Sequence, residues 1–210
     1  MTPARAELVL ASGNAGKHRE FRALLAALPL RLRSLKEFPG ISLPEEGADY
    51  ASNAAAKALG VASATGLPAL ADDSGLEVDA LGGSPGPFSA RFGGPGLDDA
   101  GRVDHLLAEL GRRATETGSG RSARFVCVAA LAFADGRVVL KRGECPGRIL
   151  EGPSGGGGFG YDPVFEPRSG GGWWGCSMAE VSEAEKNRIS HRARAVAALL
   201  PTLRSRWSEG

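Results

Sequence analysis

The chain has 210 residues, enough for a substantial core in one compact domain or two intimate lobes over 1–210, and its 25 basic and 24 acidic residues leave a net charge of +1. That balance excludes a global field recruiting nucleic acid or a membrane surface, so any basic site has to be local. The longest apolar run, Phe125 to Ala134, is about half of what spans a bilayer, and the N-terminus lacks a signal-peptide core. With Cys127, Cys145 and Cys176 forming neither a disulfide framework nor a zinc pattern, a cytoplasmic protein is expected.

The first element, Leu8-Val9-Leu10, reads as a buried strand, followed by the small-residue turn Ser12-Gly13-Asn14 and a helix over 16–28 that ends at Pro29. This stretch is not the common phosphate loop G-x-x-x-x-G-K-[ST]. Counted back from Gly16-Lys17, Ala11 stands where the first glycine belongs, and His18 where the hydroxyl belongs. The underlying physics survives: a helix N-terminus offers unsatisfied amides to an anion, and Lys17 runs against the preference for acidic residues there. Two readings stand at this stage, a polyanion loop or a surface helix capped by Asn14 with Lys17 solvated.

Residues 30–35 form a short second strand, and a second helix is expected over 50–64, with Tyr50, Ala54, Ala58 and Val61 on one face and Gly66 and Pro68 as its stop. "PALADDSG" follows as a short strand ending in Asp72-Asp73-Ser74. Such a tip is typical of sites because the sheet fixes the backbone while the end faces solvent. "LGGSPGPFSARFGGPG" is loop, 98–110 is a helix with Val103, Leu106, Leu107 and Leu110 as its buried stripe, and 111–123 is a flexible connector. Phe125 to Phe133 and Val138-Val139-Leu140 form a hairpin around Asp135-Gly136, a type I′ turn dipeptide. "EGPSGGGGFGYDPVF" is a glycine-rich loop leading to a short strand, and "RSGGGWWGC" is a further loop. Ser182-x-x-Glu185 is a capping box that opens a C-terminal helix reaching about residue 200. Strands and helices mix without regular βαβ alternation. The fold class is therefore α/β (mixed α+β), a mixed sheet flanked by helices, rather than a doubly wound parallel sheet.

Four polar clusters stand apart from the apolar pattern: Ser12 to Lys17, Glu45-Glu46 with Asp72-Asp73-Ser74, "GGFGYDP", and "EKNRISHR". Carboxylates beside a lysine-bearing anion loop suit Mg²⁺, which is held by one or two carboxylates plus substrate phosphates. A carboxylate next to that ion can also orient or deprotonate water. The chain has only five lysines, and Lys17, Lys57 and Lys186 lie in or beside these clusters, as triphosphate charge requires. Phe159 or Tyr161 could stack on a base. On one unbroken helix Lys186 and His191 point about 140° apart. They converge only if the chain breaks near Ser190, which could then cap a second helix with His191-Arg192 in its first turn. For each cluster a plainer reading also stands: an Asx turn, a core aromatic pair, or a solvated amphipathic helix.

In order, "SGNAGKHREF", "EEGADYASNAAAKA", "LPALADDSGLEVDALGGSPGPFSARFGG", "GGFGYDPVF" and "SEAEKNRISHRARA" closely resemble the inosine triphosphate pyrophosphatase family, over nearly the whole chain. These enzymes hydrolyse non-canonical purine nucleoside triphosphates such as ITP, dITP and XTP. The resemblance implies a triphosphate loop of Ser12, Gly13, Asn14, Ala15, Gly16 and Lys17, and a Mg²⁺ site of Glu45 and Asp73, with Asp73 also the base that activates water. It further implies substrate contacts from Lys57 and Ser74, base binding by Phe159, Gly160, Tyr161 and Asp162, and further nucleotide contacts from Lys186, His191 and Arg192. It implies a homodimer with an elongated mixed sheet, and two lobes with the nucleotide in the cleft. The chain departs from the family at Ser52, where many relatives carry Glu, and in a longer, tryptophan-rich segment before the last motif. Two alternatives remain. A Maf-type nucleotide pyrophosphatase predicts a different N-terminal motif and no "SHR" tail; a nucleotide-binding sensor predicts binding without turnover.

Overall fold

The computed structural model describes residues 6–117, 120–169 and 172–207. Eight strands and five α-helices make a mixed α/β fold among these residues, and the strands run in the order β2-β1-β3-β5-β6-β7-β8, with β4 paired to β3 outside that path. In chain order they are β1 (Ala6–Leu10), α1 (Ala15–Leu24), β2 (Leu30–Ser34), α2 (Tyr50–Thr65), β3 (Ala69–Val78), β4 (Pro85–Gly86), α3 (Asp99–Thr117), β5 (Ser122–Ala132), β6 (Val138–Ile149), β7 (Phe165–Ser169), β8 (Gly172–Trp173), α4 (Glu183–Ile189) and α5 (His191–Trp207). β1 pairs in parallel with β2 and β3, whereas β4 with β3, β7 with β6 and β8 with β7 are antiparallel.

The chain divides into two compact units. The first takes the residues up to Asp73, then Cys127–Gly143 and those from Arg192 onward; the second takes Ser74–Val126 and Glu144–His191. Each has its own apolar core. In the first unit, Leu8 and Leu10 of β1, Leu70 of β3 and Leu131 of β5 meet Phe21 of α1 and Val196, Leu199 and Leu203 of α5. In the second, Leu76 and Val78 of β3, Ile149 of β6 and Phe165 of β7 meet Val103, Leu106 and Leu110 of α3. Each fully buried Leu, Ile or Phe among these contributes about 1.5–3 kcal/mol.

The structure changes several local expectations. Helix α1 ends at Leu24, where a turn over 25–27 follows, rather than running to 28, and the C-terminal helical segment reaches Trp207 rather than about 200. Asp72, Asp73 and Ser74 are not a strand tip: β3 runs ten residues, through and beyond them. Helix α3 continues to Thr117, seven residues past the expected end, running through Gly111 into the good helix formers Arg112, Arg113 and Ala114. The β5–β6 turn is not type I′, which needs positive φ at both central residues. Gly136 N donates to Phe133 O at 3.0 Å, so Ala134 and Asp135 are the central residues. Only Gly136, at φ 87°, is left-handed. This is the longer hairpin loop, in which a turn is followed by a left-handed glycine. Finally, part of "RSGGGWWGC" is the short strand β8, registered with Trp173 opposite Arg168; residues 170 and 171 lie outside the described residues.

Candidate active site

The first unit gathers most of the predicted polar residues around β3. Successive side chains on a strand point to opposite faces, so Asp72 and Asp73 head two different clusters.

On one face, Asp72 Oδ2 accepts from Lys17 Nζ at 3.1 Å and from Arg192 Nη2 and Nε at 3.0 and 3.2 Å, with the Cys127 thiol 3.8 Å away. Arg192 also pairs with Glu20 of α1. Burial pushes the Asp72 carboxyl up, but Lys17, Arg192 and Lys57 outweigh it and hold it well below the usual carboxylate range. Lys17 reaches Asp72 from the first turn of α1. Asn14 caps α1 by accepting from Lys17 N at 3.0 Å, Asn14 N donates to Ser12 Oγ at 3.2 Å, and a His18 ring nitrogen lies 2.8 Å from Ser12 O. Gly13, Asn14 and Ala15 are exposed at the start of α1, the end of a helix that favours an anion. Lys17 is no solvated charge, since its side chain is only 16% exposed.

On the other face, Asp73 is held by α2. Asp49 caps this helix by accepting from Ser52 N at 2.7 Å. Asn53 and Lys57, four residues apart, share its buried face. Asn53 Nδ2 donates to Asp73 Oδ2 at 2.8 Å, Lys57 Nζ donates to Asp73 Oδ1 at 3.1 Å, and Lys57 also pairs with Glu46. Burial raises the Asp73 carboxyl above its ordinary value, with Lys57 and Asn53 pulling against it and Glu46 adding to it. Lys57 shifts upward instead: burial lowers it, and Asp73, Glu46 and Asp72 together prevail, so it stays a cation.

The site therefore sets four carboxylates, Glu20, Glu46, Asp72 and Asp73, against three cations, Lys17, Lys57 and Arg192. No group of three or more His, Cys, Asp or Glu among the described residues is placed to hold a metal unaided. Glu46 and Asp73, clustered on Lys57, instead offer the two-carboxylate half-site that a hard cation completes with phosphate oxygens and water. Glu45 is exposed, and it is Glu46 that reaches this cluster.

In the second unit a different group forms. Asp162 Oδ2 accepts from Phe159 N at 2.8 Å and from Lys186 Nζ at 2.6 Å, and Lys186 lies 4.9 Å from the centre of the Phe159 ring. Gly160 N donates to Asp99 Oδ2 at 2.7 Å. The two aromatic rings of this loop differ: Tyr161 is core, its hydroxyl donating to Ser89 O at 3.0 Å, whereas Phe159 stays partly exposed. A Cβ on Gly158, whose φ is +70°, would stand 2.1 Å from Asp162 Oδ2, so this position needs glycine twice over. Ser74 is half-buried on β3.

The chain does break at Ser190, which adopts an extended backbone between α4 and α5. His191 then stacks on Phe125 with ring centres 4.9 Å apart, while Arg192 turns to Asp72 and Glu20. The break thus sends the two neighbours into different groups rather than onto one. Asn53, Glu20 and Asp99 were not singled out in the sequence. Only Asn53 carried a usable signal, its i, i+4 spacing from Lys57 on an alanine-rich helix.

A cationic loop at a helix start, set against buried carboxylates on the neighbouring strand, is the layout of a phosphate-handling α/β protein. The chain belongs to the Ham1 family, whose profile matches residues 8–202. It is 50% identical over 194 residues to a dITP/XTP pyrophosphatase of Deinococcus deserti, covering 92% of this chain and 87% of that protein. Against the dITP/XTP pyrophosphatase of Deinococcus radiodurans the identity is also 50% over 194 residues, with 92% and 90% covered. The solved structure of a HAM1 protein from Coxiella burnetii superposes with a TM-score of 0.83 at 39% identity, covering 95% of this chain and 99% of that one.

Proposed function

We propose that the protein hydrolyses non-canonical purine nucleoside triphosphates, ITP, dITP and XTP, to the monophosphate and pyrophosphate with the help of Mg²⁺, and so cleanses the nucleotide pool. The activity follows from membership of the Ham1 family and from the dITP/XTP pyrophosphatases at 50% identity. The observation that carries the chemistry is Asp73, a buried carboxylate with a raised pKa beside a second carboxylate and a buried lysine.

Lys17 and the turn of residues 12–16 at the start of α1 take the triphosphate, and Ser74 adds a polar contact from β3. Lys57 neutralises charge next to Asp73. Asp73 accepts the proton of a water that attacks the α-phosphorus, with pyrophosphate as leaving group. Its raised pKa makes it a better base than an ordinary Asp. Mg²⁺, bound through Asp73 and Glu46 or Glu45, would supply Lewis-acid polarisation of the phosphate oxygens. Most of the acceleration then comes from positioning and electrostatic stabilisation.

Phe159 stacks on the base, its loop held by Asp162, Asp99 and Lys186. Selection rests on the purine 6-position, where hypoxanthine and xanthine carry an acceptor oxygen. Adenine's amino group would meet a donor with a donor and leave both buried groups unpaired. His191 and Arg192 are the candidate donors that the family resemblance supplies; Tyr161 shapes the loop from within the core. We take the working form to be a cytoplasmic homodimer, again by resemblance, which light scattering of the purified protein tests. No described helix is long and apolar enough to cross a membrane.

The deciding experiment incubates the protein with Mg²⁺ and ITP, XTP, ATP or GTP in ¹⁸O-water. Pyrophosphate from ITP and XTP, with label only in the monophosphate, is expected. Orthophosphate release, or label in pyrophosphate, would overturn the assignment of attack at the α-phosphorus, and no turnover at all would overturn the activity.

A further inference from the structure

Asn53 has one arrangement open to it. Its Oδ1 accepts from Gly47 N at 2.7 Å, and its Nδ2 donates both to Gly47 O at 2.9 Å and to Asp73 Oδ2 at 2.8 Å. The Gly47 amide fixes which end of the carboxamide is oxygen: the flipped form would set nitrogen against N–H and oxygen against both a carbonyl and a carboxylate. Both Nδ2 protons are thereby used, and the side chain is only 6% exposed, so water does not compete for it. The residue it clamps, Gly47, immediately follows Glu46 in the chain.

We propose that Asn53 is a positioning residue: its carboxamide ties the Glu46–Gly47 loop to Asp73 and so sets the spacing of the two carboxylates that receive the divalent cation. This rests on the proposed reading of Asp73 and Glu46. Asn is suited to the task because it adds no charge. Lys57, which touches the same two carboxylates, neutralises as well as orients, and a second cation there would compete with the metal. An outer hydrogen bond of this kind orients a ligand without touching the ion, and its loss typically costs about 10–100-fold in metal affinity or activity.

The test uses Asn53→Leu, close in shape with neither donor nor acceptor and no added charge, and Asn53→Ala. Mg²⁺ and Mn²⁺ binding to the nucleotide-free protein is measured by calorimetry, with kcat and KM for ITP at saturating metal and a thermal melt for each variant. Metal affinity is expected to fall about 10–100-fold in Asn53→Leu, with kcat reduced and the nucleotide KM changed by less than about threefold, as expected where uniform substrate binding is untouched. Asn53→Ala is expected to show the same pattern. A folded Asn53→Leu protein with wild-type metal affinity and kcat would overturn the proposal, as would variants that lose only melting temperature. If the wild type itself turned over no nucleotide, the functional reading would fail; the metal-binding comparison would still decide the role of Asn53.

Discussion

At the residue scale, the adjacent acids Glu45 and Glu46 differ in what they touch. Glu46 pairs with Lys57 and shares Asp73's environment, whereas Glu45 is exposed. Glu46→Gln is therefore expected to weaken Mg²⁺ binding by at least about tenfold, in line with the loss of a ligand or its close support. Glu45→Gln should stay near wild type, and calorimetry on both variants compares them directly. The reverse ranking would return the ligand to Glu45. Arg192 presents another separable case. It is 1% exposed and holds two carboxylates. Removing it strands buried charge, so Arg192→Ala should lose about 3–5 kcal/mol of unfolding free energy. Arg192→Lys should recover part of that, since charge returns without the forked geometry. Denaturant titration of the three proteins measures it, and an Arg192→Ala protein as stable as wild type would show that the pair with Asp72 contributes little.

At the level of elements, local chemistry was the readable part. The apolar run at Leu8-Val9-Leu10, the Asn14 turn and the Ser182 cap each settle within a few residues, and each appears where the sequence put it. The length of β3 did not show, because three consecutive polar residues look like an end when their partners are unknown. Those partners for Asp72, Cys127 and Arg192, are 55 and 120 residues away along the chain. Likewise Asp135-Gly136 suits two hairpin loops, and only the position of the left-handed residue tells them apart. The Phe159–Asp162 loop depends on such a position at Gly158. Gly158→Ala would place a methyl against an Asp162 carboxylate that already holds Lys186 and the Phe159 amide, in a backbone region costing about 1–2 kcal/mol for a residue with a Cβ. Its expected signature is a rise in the ITP KM of roughly tenfold, equal to ~1.4 kcal/mol, together with a melting temperature lowered by several degrees. An unaltered KM would detach this loop from base binding.

For the whole molecule, the division into units follows no simple cut in the sequence. Membership of the first unit changes hands at Asp73, at Cys127–Gly143 and at Arg192. A fragment ending at Asp73 keeps Leu8, Leu10, Phe21 and Leu70 but lacks Cys127, Ala129, Leu131, Phe133 and the α5 residues that complete their core. It is expected to remain unfolded, with a far-ultraviolet circular dichroism spectrum lacking helix, whereas the full chain folds. A cooperatively melting fragment would show that the first core is self-sufficient. The family was legible from five ordered motifs, since each is a local run of residue types. The assignment of partners within the site was not, since Arg192 and His191 are neighbours in sequence yet fall in different units. One consequence of β3 concerns how the gene can vary. Because Asp72 and Asp73 serve opposite faces of a strand whose side chains alternate, inserting or deleting one codon between those for Ala69 and Asp72 would turn each acid to the other face, leaving an acid opposite only one of Arg192 and Asn53 and Ala71 or Ser74 opposite the other. Pairs of such changes preserve the parity and single ones do not, so natural length variation should collect in the loops and spare this strand.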